Sequence, residues 1–142
     1  MTYNFKRPSI LAFPQVYYKF KANDNNSNNV VDYIVQDLPE EIIDDAIKML
    51  IEDYLSGEPF ALALNLLDKP RAIKHYAEFW RGIINEKLSI ACFKNDGSSE
   101  LVGVNLLVVN SKDDVTAGSV FEVSTQAEIK LQEFHFQFIV RT

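Results

Sequence analysis

The stretch from Val31 to Pro59, VDYIVQDLPEEIIDDAIKMLIEDYLSGEP, changes its hydrophobic period once. Around Tyr33 and Val35 polarity alternates, as it does on one face of a half-buried strand. From Ile42 the apolar residues Ile43, Ala46, Ile47, Leu50, Ile51, Tyr54 and Leu55 recur every three to four positions, which predicts a helix of about four turns. Between the two lie Asp37 and Glu40 at capping-box spacing, with Pro39 in the expected first turn. Glu40, Glu41, Asp44 and Asp45 crowd the helix start, where its dipole favours negative charge. Ser56-Gly57 and then Glu58-Pro59 end it.

A strand–helix unit of this kind needs a layer on each side, and 142 residues suffice for one domain. Net charge is −6, which argues against a nucleic-acid partner, because phosphate binding needs a basic stripe. The single cysteine, Cys92, lies in the apolar run LSIACF and reads as a buried structural thiol in a reducing, cytoplasmic setting. No apolar run approaches the roughly 18 residues of a membrane span, and MTYNFKRPSI has no signal-peptide core. No membrane partner is expected. His75 has no second histidine at ligand spacing, so no metal site is assigned.

Along the chain, residues 1–29 read as an N-terminal arm with a short strand near Val16–Phe20 and an Asn-rich loop. The apolar segment FALALNLLD lacks a clear period, and Asp68 is placed to cap a helix opening at Pro70. That helix, to about Lys87, carries Ile73, Tyr76, Ala77, Trp80, Ile83 and Ile84 on one side. Leu88–Lys94 and Glu100–Val109 read as strands joined at Asn95-Asp96-Gly97-Ser98-Ser99, a hairpin signal. The second is apolar on both faces apart from Asn105. That predicts a central place in the sheet, and Gly103 predicts a bulge or a close approach. The tail AEIKLQEFHFQFIV alternates in two registers, for which a bent strand is the first expectation and a helix the second.

Several of these residues, in this order, resemble the N-terminal half of the insect-type arylalkylamine N-acetyltransferases of the GNAT superfamily. They are Lys6-Arg7-Pro8 with Phe13-Pro14, Val35-Gln36-Asp37-Leu38-Pro39-Glu40, Gly57-Glu58-Pro59, Leu66-Leu67-Asp68, Trp80-Arg81, Leu88-Ser89 and Leu101-Val102-Gly103-Val104-Asn105. The resemblance runs from about residue 5 to 124. It implies an α/β (α+β) fold: a GNAT-like mixed sheet, two helices after the first main strand, and the C-terminal half truncated. One incomplete domain is expected over 1–142, with a family-like core at 30–110 and a divergent tail at 111–142.

The resemblance also implies acetyl transfer from acetyl-CoA to a small aromatic amine of the dopamine, serotonin or tryptamine type. Glu58, in the Glu-Pro pair after the first helix, is then the base, and Tyr54, Phe60 and Trp80 are the substrate-binding residues, although Trp80, on the apolar stripe of its helix, reads first as a core anchor. A carboxylate held in a turn between apolar segments suits that task. The family grips the coenzyme pyrophosphate with a glycine-rich loop at a helix N-terminus. No two of the glycines at 57, 82, 97, 103 and 118 are spaced to build one, so no cofactor-binding residue is assigned. The expectation is a chain inactive as a lone monomer. The alternatives are a non-catalytic amine-binding or protein-interaction module, associating through an unfinished sheet edge, and a truncated splice product.

Overall fold

A computed structural model describes residues 6–24 and 27–109 and, as backbone, Ile139–Val140. The alternating segments form β1 (Val16–Asn23) and β2 (Val30–Asp37), an antiparallel pair with a register shift between Val16 and Tyr18. Both strands extend further than the alternation alone predicts. After Pro39 comes a 3-10 turn at Glu40–Ile42, then α1 (Ile43–Met49), a π-helical turn over Leu50–Leu55 and a short helix α2 (Pro59–Ala63). A second 3-10 turn at Leu66–Asp68 leads into α3 (Pro70–Asn85). Then β3 (Ile90–Lys94) and β4 (Leu101–Asn105) form the expected hairpin, and β5 (Ile139–Val140) pairs with β4.

The five strands lie in the order β1-β2-β3-β4-β5, and each neighbouring pair is antiparallel. The sheet with its helical layer agrees with the expected α/β (α+β) class. Among the described residues β4 is an inner strand between β3 and β5, with β3 in the middle of the order; β4 stops at Asn105, short of Val109. The expected irregularity at Gly103 is present. Cys92 faces Gly103 and Phe93 faces Leu101, so Val102 is the extra residue of a bulge. In the hairpin turn Gly97 sits at φ +91°, and Asp96 Oδ1 accepts from the Ser98 amide at 2.9 Å.

The helical layer buries Ala46, Ile47, Met49, Leu50, Leu55, Leu66, Ala72, Tyr76, Trp80 and Ile84 against Ala91, Phe93 and Val104 of the sheet. The π-helical turn fits this packing. Leu50 and Leu55 are both buried five residues apart, a spacing that a widened i→i+5 turn brings towards one face and a regular helix does not. The expected four-turn helix is therefore three successive geometries over one continuous apolar stripe.

Two capping expectations fail. Asp37 caps nothing: the N-cap position before the 3-10 turn is Pro39, without a side-chain cap, and Asp37 is the last residue of β2. Its carboxylate turns to the N-terminal arm instead. Asp68 lies inside a 3-10 turn, and Lys69 precedes Pro70 at the start of α3. The tail's expected strand or helix lies outside the described residues apart from Ile139–Val140, which are strand.

Candidate functional site

The π-helical turn ends beside the residue expected to act as a base. The Glu58 amide donates to the Tyr54 carbonyl at 2.9 Å, closing a helical turn before the chain breaks to extended geometry at Glu58 (φ −80°, ψ 121°). There Glu58 becomes the N-cap of α2. The Ala61 amide donates to Glu58 Oε2 at 2.6 Å, and Pro59, in the first turn, has no N–H to satisfy. The cap fixes one carboxylate oxygen, Oε2. Glu58 is half-buried, so a ligand can reach it from solvent.

Tyr54 is half-buried beside Glu58 and packs edge-on against Trp80, with ring centroids 6.1 Å apart and planes at 73°. Tyr76 lies on the same indole at 5.4 Å. Burial, and secondarily the negative charge of Glu58, push the Tyr54 phenol well above the ordinary tyrosine value. The phenol therefore stays a neutral hydrogen-bond donor throughout the physiological range.

Of the four predicted site residues, Tyr54 and Glu58 lie one turn apart. Trp80 adjoins Tyr54 but is only 4% exposed, a core anchor standing behind the tyrosine. Phe60, on the short helix that Glu58 caps, is 53% exposed. Sequence reasoning missed Tyr76, whose place on the apolar stripe of α3 gave no sign that it would share the indole with Tyr54.

Elsewhere, Cys92 is half-buried on β3, and burial pushes its thiol up, away from nucleophilic use. Among the described residues no cluster of three or more His, Cys, Asp or Glu could hold a metal ion. No helix among them is long and apolar enough to cross a membrane.

No family model and no curated protein matches the chain. Among solved structures it matches a crystal structure of an insect protein assigned as arylalkylamine N-acetyltransferase 7, from the yellow fever mosquito Aedes aegypti. The TM-score is 0.72 and the identity 34%, over 78% of this chain and 46% of the mosquito chain. The chain has a GNAT-like fold. It is similar to the N-terminal portion of that acetyltransferase and spans somewhat under half its length.

For a GNAT-like chain the next question is whether the described residues suit the pyrophosphate of coenzyme A. A phosphate cradle needs free amides at a helix N-terminus. Both α2 and α3 open with proline in the first turn, and the Glu58 carboxylate already occupies the start of α2. Of the described glycines, Gly57 lies in the turn before Glu58, Gly82 is inside α3, Gly97 is in the hairpin turn and Gly103 is buried in β4. The described residues of this GNAT-like chain do not fit the pyrophosphate.

Proposed function

We propose that this chain forms the acceptor side of an arylalkylamine N-acetyltransferase-type site, binding a small aromatic amine with Glu58 as its base. The observation that carries the proposal is the anchored carboxylate: Glu58 Oε2 is held by the Ala61 amide, beside the neutral Tyr54 phenol. Amines of this class are ammonium ions near neutral pH. Glu58 pairs with the ammonium and is positioned to take a proton from it, and a neutral amine is the form that attacks a carbonyl. Tyr54 and exposed Phe60 offer aromatic surface to the ring of the amine, while Trp80 holds Tyr54 from behind. The similarity to the mosquito acetyltransferase supports acyl transfer as the reaction class and acetyl-CoA as the donor of that class. No step on the donor side is derived from these residues. A reducing, cytoplasmic setting suits the free thiol of Cys92.

Two observations favour a second reading, an amine-binding or interaction module without transfer. The described residues hold no pyrophosphate cradle. In addition, β5 pairs only with Gly103 and Val104, leaving the rest of the outer edge of β4 without a strand among the described residues. Calorimetric titration of the folded, monodisperse chain with acetyl-CoA separates the two. Micromolar binding supports a transferase in its own right; absence of binding supports the module.

A further inference from the structure

We infer that residues 7–17 form a strap, latched by Arg7 onto Asp37, that opens as a unit of its own while the core stays folded. Asp37 is fully buried, and its carboxylate accepts three hydrogen bonds from residues 7–17 and makes a further close ion-pair contact with Arg7. Arg7 grips it with both terminal nitrogens, Nη1 to Oδ1 and Nη2 to Oδ2, each at 2.8 Å. The Tyr17 hydroxyl donates to Oδ1 and the Gln15 amide to Oδ2, both at 2.7 Å. The Asp37 amide returns a bond to the Gln15 carbonyl at 2.9 Å.

The same guanidinium reaches two more segments. Nη1 donates to the Lys87 carbonyl at 3.0 Å, and Nη2 to the Ala12 carbonyl at 2.8 Å. Phe13 lies between the cations, 5.3 Å from the Arg7 guanidinium and 4.9 Å from Lys87 Nζ. Lys87 Nζ in turn pairs with Glu40 at 2.6 Å. One arginine thus joins the arm, the exit from β2 and the turn between α3 and β3. The planar guanidinium fork suits this role, because its donors point at several acceptors at once.

Beyond this latch, residues 7–17 are held by the pairing of Val16 with Gln36 and by half-buried Phe13. None of the arm's residues belongs to the buried apolar core. Ile10 is 91% exposed, and Leu11 and Val16 are exposed as well. Opening the strap therefore breaks the charged hydrogen bonds without uncovering the cluster around Trp80. Segments with few buried apolar contacts open below the free energy of global unfolding. In the open state water reaches Asp37, and the α3–β3 turn loses its tie to the arm. This holds whatever ligand the Glu58 site takes.

Native-state hydrogen exchange of the full chain, followed over sub-denaturing urea, tests the strap. The Gln15 and Asp37 amides are expected to exchange at least tenfold faster than the protected amides of β3, with weaker urea dependence. Arg7→Lys keeps the charge but loses the fork. It is expected to speed those two amides at least a further threefold, leaving β3 exchange and Trp80 emission unchanged. The inference is overturned if Gln15 and Asp37 exchange in the unmodified chain at the rate and urea dependence of β3. It is equally overturned if Arg7→Lys speeds β3 as much as the arm.

Discussion

Tyr54 and Glu58 are joined by a backbone hydrogen bond of 2.9 Å across the last helical turn before the chain breaks. The phenol and the carboxylate are therefore set by one piece of backbone, and the Tyr54 ring is braced against Trp80. Rigid placement of this kind keeps the carboxylate and the phenol in register without a loop having to order first.

Glu58 has two separable tasks, capping and charge. Glu58→Gln keeps an oxygen for the Ala61 amide and should leave stability nearly unchanged. Glu58→Ala removes the cap and should cost about 1 kcal/mol in urea unfolding. Equal losses for the two variants would mean that the carboxylate charge, not the cap, stabilises the turn.

Trp80 acts as core, so Trp80→Ala should destabilise the chain by about 3–5 kcal/mol in urea unfolding. Destabilisation under about 1 kcal/mol would contradict the packing of the indole between Tyr54 and Tyr76.

Asp37→Asn leaves the arginine fork facing a neutral amide and should cost roughly 3 kcal/mol. The same residue shows where sequence reasoning stopped. The Asp37–Glu40 spacing is the local signature of a capping box, yet the partners of Asp37 are Arg7, Gln15 and Tyr17, up to 30 positions away. A pattern three residues long cannot reveal a partner that only the fold brings near. The β3–β4 hairpin and the stripe of α3 were legible because turn chemistry and period are local properties. The apolar run of β4 showed that it lies inside the sheet, without showing that the strands follow one another in chain order. Of the candidate site, Tyr54 was legible on the apolar stripe, whereas Glu58 was singled out only by the resemblance of its Glu-Pro pair. The burial of Trp80 was legible from its place on the α3 stripe, but its contact with Tyr54 and the open position of Phe60 emerge only from packing.

Two tyrosines should ionise late. Burial raises Tyr54, aided by the Glu58 charge, and burial raises Tyr17, aided by its bond to Asp37, each above an ordinary value of 10.0. A raised folded value means that the proton is held more tightly in the folded state. The stability it contributes is complete below about pH 10 and is lost as pH rises through the folded values. Phenolate absorbance, compared in Tyr17→Phe and Tyr54→Phe, should show both ionising above the ordinary tyrosine value of about 10. Removal of an ordinary transition by either variant would contradict this.

The central claim is that Glu58 meets an amine, and calorimetric titration with tryptamine at neutral pH tests it most directly. The account predicts saturable binding by the folded chain, weakened about tenfold or more in Glu58→Gln, as expected when a charge-assisted hydrogen bond becomes a neutral one. Binding of equal strength in both proteins, or none by a folded and monodisperse chain, would contradict it.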